Sequence, residues 1–297
     1  MAFLKDELSG FVPTESANEI VKKAVRGSSI LRLGKFTPMT SDKKKVPVLA
    51  SGANAYWVGE GQRIKTSKAQ WIFPTLTAEK IAVIIPVSKE KLKDSTIDVF
   101  SELEEVIAEA FCVSIDAAGF FGTDSPFEKN IFDTATTAGN LIVSGTNKSI
   151  DMDVSDAMAL VEDDGFDVNG TAAHYGIKNQ LRKLRDANGN ALYVPGTDTN
   201  NFFNNPIEFS RNGSWDKTKA EMIVGDWDKL LVGMRQEIEY EILREATLQG
   251  TLDADGKPLS LAEQDLVAVK ATMRVGILQL IDNAFAVVTP KVASEGA

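Results

Sequence analysis

Hydrophobic and polar positions along residues 43–88 fall into two extended runs around a glycine-rich tip. KKKVPVLASGANAYWV (43–58) leads to GEGQ (59–62), and the chain returns through Trp71 and Phe73 into the apolar segment 81–87. Charged and glycine residues at the tip, with strand-forming residues on either side, predict a long β-hairpin. With about 13 residues per strand it reaches roughly 40 Å. A two-stranded ribbon of that length is not stable alone. Gly59 and Gly61 are expected to supply turn conformations closed to other residues.

After the hairpin the spacing switches to three and four. Phe100, Leu103, Ile107, Ala110, Phe111, Ser114, Ala117, Ala118 and Phe121 share one face, predicting a helix over about 96–121. Glu102, Glu104 and Glu105 sit near its start, where the helix dipole favours acids, and GTDSP (122–126) ends it. At about 26 residues this is a rod of roughly 39 Å. Upstream, SANE (16–19) reads as a capping box, followed by Ile20, Val21, Ala24 and Val25 on one face and Gly27 as a stop. That helix is too short to persist unaided and needs a surface to lie on. Beyond residue 150 short helices (153–165, 177–190) alternate with strands. QEIEYEIL (236–243) reads as a half-buried strand, as does the alternation Val267, Val269, Ala271, Met273, Val275, Ile277; AFAVVTP (284–290) reads as a buried one. No internal repeat is present. The expected fold class is α+β.

Length and composition leave this picture intact. A chain of 297 residues can bury a large core in one or two domains. The opening MAFLKDELSG places charges where a signal peptide needs its apolar stretch, so export is not expected. The longest apolar run, IAVIIPV, is too short to span a bilayer, so no membrane is expected. The single cysteine, Cys112, cannot form an intramolecular disulfide and fits a reducing compartment. Charge does change the picture. Residues 1–93 carry 16 Lys and Arg against 8 Asp and Glu, whereas residues 94–297 carry 16 against 34. A basic first third on an acidic body suits an acidic partner, either nucleic acid or another copy of the same chain.

Candidate chemistry is sparse. His174 is the only histidine, and no G-x-S-x-G or triad pattern accompanies it. Cys112 lies on an apolar helix background and reads as a core residue. Ser-x-x-Lys occurs three times (Ser41/Lys44, Ser88/Lys91, Ser214/Lys217) without its companion motifs, and so carries no weight. DANGN (186–190) and DADGK (253–257) lack the ligand spacing of a calcium loop and read as turns. Glu237, Glu239 and Glu241 alternate along one strand face without a partner acid, which makes them a solvated or interfacial face. No phosphate loop or dinucleotide fingerprint appears. The expectation is a protein with no enzymatic activity, cofactor or metal.

Trp57, Trp71 and Phe73 on an isolated ribbon would be exposed apolar surface, which monomers avoid. A neighbouring subunit that covers the ribbon resolves this. The chain also resembles the major capsid proteins of tailed bacteriophages, the Hong Kong 97-like fold. The resemblance runs in order through VGEGQRIKTSKAQWIFPTLTAEKIAVIIPVSKEKLKDS (58–95, extended loop) and DVFSELEEVIAEAFCVSIDAAGFFGT (98–123, spine helix). It continues through YGIKNQLRKLRDANGNALY (175–193) and MIVGDWDKLLVGMRQEIEYEIL (222–243), similar to axial-domain segments, and LVAVKATMRVGILQLIDNAFAVVTP (266–290), similar to closing peripheral strands.

The resemblance implies an N-terminal arm at 1–38, an extended β-hairpin loop at 39–88 and a peripheral domain with the spine helix at 89–148. An axial α/β domain follows at 149–263, then return strands of the peripheral domain at 264–297. It implies inter-subunit contacts through Trp57, Gly59, Glu60, Gly61, Arg63, Lys65, Lys68, Trp71 and Phe73 of the loop and Ile20, Lys22, Lys23 and Val25 of the arm. Phe100, Leu103, Ile107 and Phe111 would pack the spine helix. The implied function is self-assembly through pentamers and hexamers into an icosahedral shell, made in the host cytoplasm, that encloses double-stranded DNA through non-specific contacts. Implied partners are a separate scaffold protein, a portal and, in some shells, a decoration protein. Cross-linking of a loop lysine is not carried over, because no acceptor matches. An encapsulin-type nanocompartment and an unrecognised hydrolase remain as alternatives.

Overall fold

The computed structural model describes residues 27–52, 55–63, 66–90, 99–147, 149–185, 188–189, 201–203, 205–252 and 256–291. A short helix α1 (Ser29–Leu33) is followed by strands β1 (Lys35–Pro38), β2 (Lys43–Lys45), β3 (Val48–Ser51), β4 (Gln70–Ile72), β5 (Thr75–Thr77) and β6 (Glu79–Ser88). Then come helices α2 (Val99–Phe121) and α3 (Ile131–Ala138), strand β7 (Leu141–Val143), helix α4 (Ile150–Asp163), strand β8 (Gly170–His174) and helix α5 (Ile177–Lys183). Strands follow, β9 (Asn201–Phe202), β10 (Asn205–Ser210), β11 (Met222–Gly225), β12 (Leu230–Leu243), β13 (Thr247–Leu252), β14 (Pro258–Ser260), β15 (Leu266–Gln279) and β16 (Phe285–Thr289), with short 3-10 turns at Trp227–Lys229 and Asp282–Ala284.

Alternation in β15 organises the first layer pair. Val267, Val269, Ala271, Met273, Val275 and Ile277 are all buried, whereas Lys270, Thr272 and Arg274 on the opposite face are only partly so. β15 sits inside a four-stranded sheet, β1-β12-β15-β6, in which β1 runs parallel to β12 and the other pairs are antiparallel. Helix α2 lies on the dry face, packing Ile107, Phe111 and Ile115 with Val269, Ala271, Met273 and Val275 in one core. Gly119 permits the close crossing: a Cβ there would come within 2.3 Å of Ile30 Cδ1 and 3.1 Å of Ile277 Cδ1. Gly122, at φ +66°, closes the helix in the left-handed conformation that glycine adopts without strain.

The buried sector of α2 is wider than the expected stripe and turned from it. Ala110 and Ser114 are exposed, while Ala108, Cys112, Ile115 and Asp116 are buried. Small residues do not discriminate faces by periodicity. Here two elements press on the helix, the sheet on one flank and α1 with the turn after β10 on the other.

A six-stranded sheet, β7-β16-β11-β8-β10-β9, forms the second layer pair. Val154, Ala157, Met158 and Val161 of α4 pack on Ala173, Met222, Val224, Ala286 and Val288 of this sheet. Phe120, Phe121, Trp215, Trp227 and Phe285 interlock between the layers with centroid separations of 5.1–6.3 Å. Strand pairing joins stretches far apart in the chain. β12, inside 149–263, pairs with β15 of the closing strands. β16, inside 264–297, and β7, inside 89–148, both lie in the six-stranded sheet. Period-two alternation tells which face of a strand is dry but not which sheet it joins.

The apolar run 81–87 lies in the edge strand β6, with Ile81, Val83 and Ile85 against the core and Ile84 43% exposed. Pro86 is tolerated there because an edge strand has one side without ladder bonds. Helix α5 stops at Lys183 rather than continuing to 190, because Leu184 turns to extended backbone and packs against the second core.

Asp116 joins these parts. It has no exposed surface. Its carboxylate accepts hydrogen bonds from Ser28 Oγ (2.6 Å), Ser29 N (3.0 Å), Ile30 N (3.0 Å) and Asn212 Nδ2 (2.7 Å). The Ser29 and Ile30 N–H groups are the unpaired donors at the start of α1, which an acceptor there satisfies. Burial pushes the carboxyl above its usual range, opposed by the four donors. Replacing Asp116 with Ala strands buried donors and is expected to cost about 3 kcal/mol or more. Asp116→Asn is expected to be nearly as damaging, since its amide would bring a donor against donors. Urea unfolding measures this, and a loss under about 1 kcal/mol for both would refute the assigned role.

Candidate subunit interface

The projecting segment 39–78 is built from short ladders. β2 pairs with β5 and β3 with β4, both antiparallel. Among the described residues two unbroken strands of about 13 residues do not form, and the last pair towards the tip is Ser51 with Gln70. Pro47 and Pro74 lie between the ladders, where each removes a donor, leaving Val46 N to Pro74 O (3.0 Å) as the bridging bond. At the tip, Gln62 N donates to Gly59 O (3.1 Å) and Gly61 has φ +76°, a four-residue turn with glycine at its third position. Only Gly61 uses the conformational freedom expected of both glycines.

The loop is covered by little. Trp57 is completely exposed, and Leu49, Tyr56, Trp71, Ile72 and Phe73 are each 43–59% exposed. Gly59, Glu60, Gly61, Arg63 and Lys68 are exposed as well. Lys65 lies outside the described residues, as do Ile20, Lys22, Lys23 and Val25 of the expected arm. Ile107 and Phe111 are buried and Leu103 packs against the same core; the side chain of Phe100 is not among those described.

Packing holds the loop's base to the body, and sequence reasoning missed how. Gly233 of β12 faces Gly276 of β15 across the ladder, on the side away from α2. Leu76, fully buried, and Met39, 5% exposed, fill the opening. A Cβ on Gly233 would meet Met39 Sδ at 2.4 Å and Leu76 Cδ2 at 2.7 Å, and one on Gly276 would meet Thr77 O at 2.5 Å. The readable signal was a lone glycine inside each of two apolar strand runs, VGM and VGI, which marks close approach of another chain segment. Asp42 adds ion pairs to Arg235 and to Arg274 (3.0 Å), and its carbonyl accepts from Ala78 N (2.8 Å).

The chemical candidates are engaged elsewhere. His174 ends β8, and its Nδ1 accepts from Gly176 N (3.0 Å); burial, then Lys217, holds it below the usual imidazole range. The Cys112 thiol is pushed up to about 12 by burial, with Asp116 and Glu109 adding to the effect. Glu237, Glu239 and Glu241 are exposed, and Glu241 pairs with Lys270 (2.6 Å) on a face shared with Lys80 and Arg274. Among the described residues no His, Cys, Asp and Glu side chains gather into a metal site. No described helix is long and apolar enough to cross a membrane.

The chain and its fold are similar to known proteins. The model of the phage capsid family matches residues 9–289. The major capsid protein of Staphylococcus phage 80alpha is 35% identical over 293 residues, 97% of this chain and 87% of that one. A solved structure from Microbacterium phage Oxtober96 matches with a TM-score of 0.80 at 31% identity, covering 89% of this chain and 91% of that one. One from Mycobacterium phage Adephagia matches with a TM-score of 0.80 at 28% identity, covering 99% and 100%.

The glycine pair makes a specific expectation. Gly276→Val should expel Leu76 and release the loop base while leaving the helix-covered face of the sheet in place. Hydrogen exchange should show residues 75–78 losing protection about tenfold or more, with β15 amides little changed. Equal protection at both would show that the opening does not hold the loop.

Proposed function

The chain belongs to the phage capsid family and is a major capsid protein building the icosahedral shell of a tailed phage, and we propose that its copies join by laying each projecting loop over the body of a neighbour. The supporting observation is the exposed row Trp57, Trp71 and Phe73 on a loop whose base is fixed and whose shaft touches little of its own body. Burying a fully exposed tryptophan removes ~200 Å² from water and stabilises the contact by about 5 kcal/mol, before the entropy of ordering the loop is subtracted. Contacts of this obligate kind bury on the order of 2,000 Å² or more. Heterologous contacts repeated around axes close into rings, which fits pentamers and hexamers.

Charge complements this packing. Lys43, Lys44, Lys45, Arg63 and Lys68 make the loop basic, and residues 94–297 carry the excess of acids. The pairing steers copies together and weakens with salt. Gly59, Glu60 and Gly61 shape the tip, and Lys65 adds a further cation to the same stretch. Double-stranded DNA inside the shell would meet this acidic chain through few basic groups and mobile counterions, without sequence recognition. A scaffold protein, a portal and a decoration protein complete the proposed partners. The nanocompartment and hydrolase alternatives are not favoured, since the relatives are structural proteins of phage capsids.

Sedimentation tests the reading. The wild-type chain should form megadalton particles, and Trp57→Ser with Trp71→Ser should remain a folded small species. Raised salt should slow early assembly, read by light scattering, more than it lowers the subunit's unfolding midpoint. Normal particles from the double variant would defeat the loop contact, and assembly indifferent to ionic strength would defeat the charge argument.

A further inference from the structure

Asparagine precedes glycine at Asn169-Gly170, Asn188-Gly189 and Asn212-Gly213. Such a pair can react with itself. The glycine's backbone nitrogen, once base has taken its proton, attacks Cγ of the asparagine. The new C–N bond closes a succinimide ring, and the side-chain nitrogen leaves as ammonia. Water then opens the ring at either carbonyl, giving aspartate or isoaspartate. Glycine in second place favours the attack, because a Cβ there would crowd it. The nitrogen and Cγ must rotate into bonding distance, so the local fold sets the rate.

At two of the pairs a reacting group is fixed to the interior. Gly170 is buried in β8, paired with Gly225, and a Cβ there would lie 2.8 Å from Trp227 Cδ1. The Asn169 amide also spans Asp226 Oδ1 (3.0 Å) and Trp227 N (2.8 Å). Asn212 Nδ2 donates to the buried Asp116 (2.7 Å), and its Oδ1 accepts from Ser210 Oγ (3.1 Å), Ser214 N (3.2 Å) and Ser214 Oγ (2.6 Å). Gly189 and Gly213 isolate the cause. Their φ values are +84° and +80°, and at neither would a Cβ meet an atom within 4 Å. The two pairs differ in the side chain that must move. Asn188 and Gly189 are both exposed, in a turn beyond α5, where hydrogen bonds exchange readily with water. We propose that Asn188 is a self-modification site, converting to aspartate and isoaspartate in the folded chain while Asn169 and Asn212 stay intact. The product places a new carboxylate just after the stretch 177–185, which carries Lys178, Arg182, Lys183 and Arg185 and no acid. Ageing copies thereby gain negative charge at one defined place, with water as the sole co-reactant.

The test holds the folded full-length chain in mildly alkaline buffer for days and follows each pair by peptide mass spectrometry. The signal is the mass gain that replaces NH2 by OH, and labelling with an isoaspartyl methyltransferase identifies isoaspartate. Asn188 should convert about tenfold or more faster than Asn169 and Asn212, and Gly189→Ala should slow it by a similar factor. In guanidinium chloride the three rates should converge to within about threefold, since the fold that separates them is gone. Conversion of Asn169 or Asn212 as fast as Asn188 in the folded chain would overturn the proposal. So would an Asn188 that stays intact until the chain is unfolded, an unchanged rate in Gly189→Ala, or an order that persists in denaturant. The readout needs no contact between copies, so it stands or falls apart from the loop-contact reading.

Discussion

A carboxylate with no access to water dictates how the two halves of this subunit meet. Moving an isolated charge out of water costs several kcal/mol or more, so Asp116 is tolerable only with its donors in place. Those donors come from three directions: the first turn of α1, the Ser28 hydroxyl and the Asn212 side chain beyond β10. The long helix, the entering chain and the six-stranded sheet are therefore set relative to one another by a directional contact. Hydrophobic packing alone would allow them to slide, because apolar burial is proportional to area and indifferent to angle. The interlocked rings of Phe120, Trp215, Trp227 and Phe285 fill the same junction and supply the area.

From this rigid body the loop is held at its base by shape more than by charge. Burying a leucine is worth about 2 kcal/mol, while partly exposed ion pairs such as Asp42 with Arg235 and Arg274 contribute about 1 kcal/mol or less each. Leu76 between facing glycines is the stronger anchor. Past Pro47 and Pro74 the ladders are short, and the aromatic residues stand in water. Fixed origin and few internal bonds along the shaft suit a segment whose final geometry is completed by a surface other than its own.

Much of this is legible in periodicity. The alternation in 267–277 and the three-and-four spacing in 100–121 each correspond to an element, and Trp57, Trp71 and Phe73 are exposed on the loop as the ribbon argument required. What periodicity hides is partnership. Nothing in β16 says that it enters the six-stranded sheet and not the four-stranded one, because both offer a dry face. Asp116 is not legible in the sequence, because an acid on an exposed-looking flank of a helix has no mark until Ser28 and Asn212 stand beside it. Gly233 and Gly276 were legible as anomalies in their strands, though not as a matched pair. For the loop and arm contacts the sequence carries composition alone, and composition names a kind of partner without placing it.

A shell subunit faces opposed demands: exposed aromatic rings favour association, while the net charge of −10 favours separation. Distance reconciles them. At physiological salt, fields are screened beyond about 8 Å, so copies in solution repel weakly and only adjacent groups at a contact feel one another strongly. At that range the average charge matters less than its arrangement. A loop rich in Lys and Arg approaching an acidic body meets attraction, whereas two acidic bodies meeting face to face do not. Apolar burial then supplies strength and charge supplies orientation, so the wrong pairing is disfavoured without making the right one too tight to correct. On the proposed loop contact, the separation of basic first third from acidic remainder is what favours loop-to-body pairing over the meeting of two acidic bodies.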